Sequence, residues 1–369
     1  MAKKIIIAGG GTGGHIFPAI AIANALKKSD PDTEILFIGA KGRMEMEKVP
    51  QAGYRIEGLD IAGFNRSSLI KNIGLPFKLM RSFSQVRKII KQFTPDAVVG
   101  VGGYSSFPVL RYAQAKGIPS FIHESNSFAG KSNILLGKKA TKVFVASDGM
   151  EKFFPAQKIL LTGNPVRPAI VRVPSIDKKM AEEFFGLSER RKTLLIVGGS
   201  LGARSINEAI GQGLEQLVQS GMQLIWQTGK TDAAKWRKLA ANQPNVKVSD
   251  FITQMENAYA AADIVISRAG AMAIAELCVV QKPVLFVPYP FAAEDHQTVN
   301  ARNLVEKNAA LMVKDSEAKE KMVIEVLQLA MNEPKQNELK ENIGKYAVVN
   351  ADDRIAQEIL NSIARNERK

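Results

Sequence analysis

Three histidines, His15, His123 and His296, and one cysteine are all the imidazole and thiol chemistry that this 369-residue chain offers. His15 closes the run Gly9-Gly10-Gly11-Thr12-Gly13-Gly14-His15, set between the apolar stretch IIIA and the helical spacing of IFPAIAIANALKK. A glycine-rich turn at such a junction presents backbone N–H groups and the positive end of a helix dipole to an anion, usually a phosphate. The same dipole disfavours imidazolium, so His15 reads either as a neutral general base or as a phosphate ligand. A Rossmann dinucleotide loop is the rival, because GGGTGG can be forced onto G-x-G-x-x-G. Two further glycine turns, GVGGYSSFP from Gly100 and VGGSLGAR from Val197, weaken that rival. Phosphate-type loops in two halves of the chain suggest two phosphorylated ligands. A dehydrogenase needs one such domain and an acidic residue after the second strand, where this chain has FIGAKGR.

The carboxylates add to this. Glu276 lies inside the apolar run AMAIAELCVV, where a charge is costly unless it is paired, which favours a ligand-binding role. In FIHESN, His123 and Glu124 follow an apolar stretch directly, so one side chain faces the core and the other the ligand side, and Glu124 is a second candidate base. The single Asp-x-Asp, Asp30-Pro-Asp32, falls between the first helix and the second strand, at the wrong end of a parallel sheet, and reads as a turn. The histidines lack ligand-type neighbours at zinc spacing, so neither metal nor cofactor is expected.

These groups must be carried by elements. Short β-branched runs at 4–8, 34–39, 97–100, 120–123 and 143–146 alternate with amphipathic segments, the rhythm of a doubly wound parallel sheet. After GNPVRP at 163–168 the rhythm restarts, with strands at 193–197, 223–227, 264–267 and 284–287. Two α/β domains are expected, 1–163 and 164–349, with the helix 350–369 crossing back to the first. That agrees with a length too great for one core and with 46% apolar residues. Cys278 sits in an apolar stretch and allows no disulfide framework. The N-terminus MAKKIIIAGGG breaks into glycines before a signal core could form, and no stretch approaches about 18 apolar residues, so a soluble, unexported protein is expected.

The formal charge of +14 is one-sided: residues 1–163 hold 23 Lys and Arg against 11 Asp and Glu, and residues 164–369 hold 27 against 25. Such a field suits nucleic acid, anionic lipid or a polyanionic substrate. No nucleic-acid motif or aromatic platform accompanies it. Residues 61–91 contain no acid, while seven cations from Arg66 to Lys91 are interleaved with apolar residues such as Phe64, Phe77, Met80 and Phe83. This is the composition of an interfacial amphipathic helix, or equally of a buried helix with a solvated basic face.

Seven segments in one order, GGGTGGHIFPAIAIA, GVGGYSSFP, HESNSFAGKSN, TGNPVR, VGGSLGARSIN, SRAGAMAIAEL and AAEDHQTVNA, resemble the MurG family of undecaprenyl-diphospho-muramoylpentapeptide β-N-acetylglucosaminyltransferases. The resemblance implies a GT-B fold, two Rossmann-like domains with the active site between them. It implies an inverting hexosyltransferase with UDP-N-acetylglucosamine as donor, lipid I as acceptor and lipid II, the peptidoglycan precursor, as product. It also implies a peripheral place on the cytoplasmic face of the inner membrane, an anionic surface as partner, and other cell-wall or division proteins as further partners, but no nucleic acid. By motif match, the donor would meet Thr12, Gly13, Gly14, Asn126, Arg167, Ser200, Arg268 and Gln297, the backbone of Ile252 at the uracil, and Ala271, Met272, Ala273, Ile274, Ala275 and Glu276, with Glu276 on the ribose. Gly11, Gly103 and Tyr104 would meet the acceptor, and His15 or Glu124 would be the base. Inverting an α-linked donor needs one displacement and no covalent nucleophile. A nucleotide-sugar 2-epimerase on the same fold is the alternative, against which the basic apolar segment and GGGTGGH argue.

Overall fold

The computed structural model describes residues 2–62, 75–199 and 201–367. Ser200 and residues 63–74, including Phe64, Arg66, Leu69, Ile70 and Lys71 of the basic segment, lie outside the described residues. The chain divides into two compact units, Met1–Val166 with Asn350–Lys369, and Arg167–Val349.

Among the described residues, the first unit is built on seven strands, β1 Lys4–Ala8, β2 Glu34–Ala40, β3 Arg55–Leu59, β4 Ala97–Gly100, β5 Ser120–Glu124, β6 Lys142–Val145 and β7 Ile159–Leu161, in the order β3-β2-β1-β4-β5-β6-β7. The second has six, β8 Thr193–Val197, β9 Gln223–Gln227, β10 Val246–Ser249, β11 Ile264–Ser267, β12 Val284–Phe286 and β13 Leu311–Met312, in the order β10-β9-β8-β11-β12-β13. Every strand pair in both sheets is parallel. Two Rossmann-like α/β units are the result.

Parallel strands covered on both faces read as unbroken apolar runs. β1 shows it: Ile5 and Ile7 enter the core on one face, Ile6 and Ala8 the core on the other. The first of these cores is completed by the C-terminal helix Ala351–Glu367, which brings Ile355, Ala356, Ile359 and Ile363 against the helix Gly13–Ser29.

In each sheet the chain starts at an inner strand and winds outward both ways, so the order reverses between β1 and β4 and again between β8 and β11. Open α/β sheets take ligands in the crevice beyond the carboxyl ends at such a reversal. The turns 9–12 and 101–105 leave β1 and β4. The turn of 198, 199 and 201–203 and the turn 268–270 leave β8 and β11. All four glycine turns therefore lie at the one place in each sheet that the topology opens to a ligand.

Candidate functional site

In the first unit the two glycine turns touch through their backbones. Gly10 N–H donates to the Gly102 carbonyl at 3.3 Å. At Gly103, φ is +86°, and a Cβ there would stand 2.4 Å from the Gly10 oxygen, so no larger residue fits. Ser106 Oγ, buried, stands 2.7 Å from the Ala8 carbonyl and 2.9 Å from that of Gly102, fixing both strand ends. The turn is held from behind by Glu45, only 1% exposed, whose Oε1 accepts the Ala40 N–H at 2.9 Å and whose Oε2 accepts the Gly11 N–H at 2.8 Å. A Cβ at Gly10 would fall 2.2 Å from the Glu45 carboxyl carbon.

Thr12 precedes the helix Gly13–Ser29, so Gly13, Gly14 and His15 form its first turn, at the positive end of the helix dipole, and the His15 N–H donates to the Thr12 carbonyl at 3.1 Å. The His15 ring packs on the second glycine turn, where a Cβ at Gly102 would meet its Cε1 at 2.7 Å. Beside these, Tyr104 is half exposed, and the Ser105 hydroxyl is buried without a hydrogen-bond partner among the described residues. His123, on β5, is fully buried. Its ring nitrogens lie 3.5 Å from the Gly163 carbonyl and 3.4 Å from Ser125 Oγ. Burial pushes its pKa down to about 4, with the Gly163 carbonyl opposing and the nearby His15 adding to the shift, so His123 is neutral at ordinary pH.

Glu124, the second base expected, is engaged by donors of its own unit. Its Oε1 accepts the backbone and side-chain N–H groups of Asn126 at 3.1 and 3.3 Å, and its Oε2 accepts the Gly130 N–H at 3.1 Å and Asn133 Nδ2 at 2.8 Å. At 3% exposure with four donors around it, this carboxylate shapes the loop 125–130 and presents Asn126.

In the second unit the turn after β8 is equally tight. Gly202 has φ of +85°, and a Cβ there would stand 2.2 Å from the Thr228 oxygen. Asn207, buried, locks the same place, giving Nδ2 to the Thr228 carbonyl at 2.8 Å and taking Trp226 Nε1–H at 3.0 Å, so it is a structural residue. After β11, Gly270 precedes the helix Ala271–Val280, whose first two turns run from Ala271 to Glu276. Glu276 is 7% exposed; its Oε1 accepts Arg167 Nε–H at 2.7 Å and its Oε2 accepts the Tyr259 hydroxyl at 3.3 Å.

Arg268, expected as a cation facing the diphosphate, bonds extensively within its own unit. Nη1 donates to the carbonyls of Val287 at 2.9 Å and Pro288 at 3.1 Å and pairs with Asp315, while Nη2 donates to Ser205 Oγ at 3.1 Å. Its guanidinium thus ties the ends of β11 and β12 to the segment at 315. Ile252 N–H donates to Gln227 Oε1 at 3.0 Å, and Gln297 Oε1 accepts the Tyr289 N–H at 2.9 Å, so both are anchored at strand ends. Glu45, Tyr259, Gln227 and Asp315 are contributors that motif reading passed over. Among the described residues, no group of three or more His, Cys, Asp or Glu is placed to hold a metal.

Comparison with known proteins agrees with this layout. The N-terminal domain model of glycosyltransferase family 28 matches residues 5–145, and the C-terminal domain model of the same family matches residues 193–358. A protein of Phocaeicola vulgatus named UDP-N-acetylglucosamine–N-acetylmuramyl-(pentapeptide) pyrophosphoryl-undecaprenol N-acetylglucosamine transferase is 53% identical over 97% of this chain and 96% of its own. One of the same name from Parabacteroides distasonis is 52% identical over 98% of each. Among solved structures, MurG of Acinetobacter baumannii superposes with a TM-score of 0.80 at 30% identity, covering 97% of this chain and 99% of the other.

Proposed function

Since the chain belongs to glycosyltransferase family 28, we propose that it transfers N-acetylglucosamine from UDP-N-acetylglucosamine to a polyprenyl-pyrophosphoryl N-acetylmuramyl-pentapeptide. The reading is carried by the near full-length likeness to transferases of that printed name. The glycine turns at both topological reversals support it, because each offers amides and a helix end to a phosphorylated ligand.

The second unit takes the donor. The amides around 198–203 and the N-terminus of the helix Ala271–Val280 face the diphosphate, the strand ends near Ile252 take the uracil, and Glu276 takes the ribose. Arg268 and Asp315 keep that bed in shape. In the first unit, the turns carrying Gly11, Gly103 and Tyr104 hold the acceptor pyrophosphate, and the buried Ser105 hydroxyl supplies one more donor for it. His15 removes the proton from the acceptor sugar hydroxyl as that oxygen attacks the anomeric carbon. The bond from that carbon to the diphosphate breaks on the opposite face, UDP leaves, and the configuration inverts. Loop amides and the helix dipole offset the charge on the departing UDP.

The acceptor's lipid calls for a membrane surface. Among the described residues no helix is long and apolar enough to cross a membrane. The helix Leu75–Phe93 suits a peripheral contact: Val86 and Ile90 enter the core, while Phe77 and Met80 are exposed beside exposed Lys78, Arg81 and Lys88.

Incubation with radiolabelled UDP-N-acetylglucosamine and a lipid I analogue in excess EDTA is expected to give labelled β-linked disaccharide lipid. Conversion of the donor to its 2-epimer without transfer would replace this reading by the epimerase one.

A further inference from the structure

We infer that Tyr259 and Arg167 form a clamp that fixes both oxygens of Glu276 so that the carboxylate selects a ligand bearing the two free hydroxyls of a ribose. This rests on the donor reading above. A carboxylate on a helix as apolar as AMAIAELCVV would turn or protonate if left alone. Here each oxygen has its own donor, from a different helix. Arg167 precedes the helix Pro168–Val171 and reaches Oε1 at 2.7 Å. Tyr259, on the helix Met255–Ala261, reaches Oε2 at 3.3 Å.

Tyr259 is 2% exposed and Arg167 is partly exposed, so one jaw of the clamp is rigid and the other lies toward solvent. Burial, and then the Glu276 charge, raise the Tyr259 pKa well above 10, which keeps the phenol a donor at every working pH. A carboxylate oxygen has two acceptor sites, so one on each oxygen is left after the clamp forms. Two adjacent hydroxyls can occupy that pair side by side, as charge-assisted bonds that require the carboxylate plane to be fixed. Tyr259 touches no substrate atom; it is a positioning residue.

The test is calorimetric binding of UDP and of 2′,3′-dideoxy-UDP to wild type, Tyr259→Phe, Glu276→Gln and the double variant. Phenylalanine keeps the ring and its packing and removes one oxygen, and thermal melting checks that the fold is retained. Tyr259→Phe is expected to weaken UDP about three- to tenfold, the range of one modest hydrogen bond, and to leave dideoxy-UDP unchanged. In the Glu276→Gln background the same change should cost nothing more. Equal loss for both ligands, no loss for UDP, or an undiminished loss in the Glu276→Gln background would overturn the clamp. Failure of the wild type to bind UDP at all would instead bring down the donor reading, and the clamp with it.

Discussion

At the residue scale, the chain separates its two inner histidines by environment. His15 sits in the first turn of a helix against a glycine turn, while His123 is sealed inside the sheet. For His15, replacement by Ala is expected to lower kcat by roughly 10² to 10⁴, the span of general-base catalysis, with donor KM nearly unchanged. A rise in acceptor KM at constant kcat would reassign it to holding the pyrophosphate. For His123, the unfolded chain binds a proton between pH 6.5 and about 4 that the folded chain refuses. Its contribution is therefore complete above pH 6.5 and is lost as pH falls toward 4, by about 3 kcal/mol in all. Urea titrations of wild type and His123→Gln at several pH values should show the wild type losing stability more steeply over that window. Parallel curves would mean that the buried imidazole is not what senses acid.

Sequence reading singles out residues whose type is unusual for their setting, such as Glu276 in an apolar helix and His15 after glycines. It passed over residues defined by a distant partner. Nothing in RMEMEK signals that Glu45 buries its carboxylate behind a glycine turn, and Tyr259 in ENAYAAA looks like ordinary core. Arg268 and Glu124 show the converse. Each has the right type at a strand end, but part of its hydrogen bonding runs inside its own unit, to Asp315 and two carbonyls in one case and from four N–H groups in the other.

At the element scale, the strongly apolar central strands were legible because burial on both faces leaves a continuous run. β3, with the sequence RIEGL, and β10, with VKVS, were not, because these edge strands carry polar residues on the side that is not covered, and β13, with LM, was not because two residues make no run. The helix Leu75–Phe93 shows why composition alone left its role open: both readings hold at once, with Val86 and Ile90 in the core and Phe77 and Met80 outside. Replacing Lys78, Arg81, Arg87 and Lys88 together by Gln should weaken binding to anionic vesicles, each cation near such a surface being worth about 1 kcal/mol. Activity on a short-chain soluble acceptor should be little altered. Vesicle binding equal to the wild type's would remove this helix from the membrane contact. Arg81 also stands 3.2 Å from Asp60, so its own share should be the smallest of the four.

At the scale of the whole molecule, the chain is not two consecutive domains, because its last helix belongs to the first unit. Ala351, Ile355, Ala356, Ile359 and Ile363 are all buried there, and Lys28 pairs with Asp353 at 3.0 Å while Arg354 donates to the Leu161 carbonyl at 2.8 Å. The amphipathic pattern of the tail was plain in the sequence, but which unit would receive it depends on an apolar face of the helix Gly13–Ser29 that no local pattern reveals as uncovered. Truncating a large buried aliphatic side chain costs about 2 to 5 kcal/mol, so removing three isoleucines at once exceeds what a unit of this size can spare. A chain ending at Val349 is therefore expected to lose its first unit's cooperative melting transition and its transferase activity. The second unit keeps its entire core, so the truncated chain should still bind UDP, and UDP should still raise the melting transition that remains, since a ligand stabilises only the fold that binds it. If truncation abolished UDP binding as well, the two units would not be separate in stability, and the donor site could not be assigned to residues 167–349 alone.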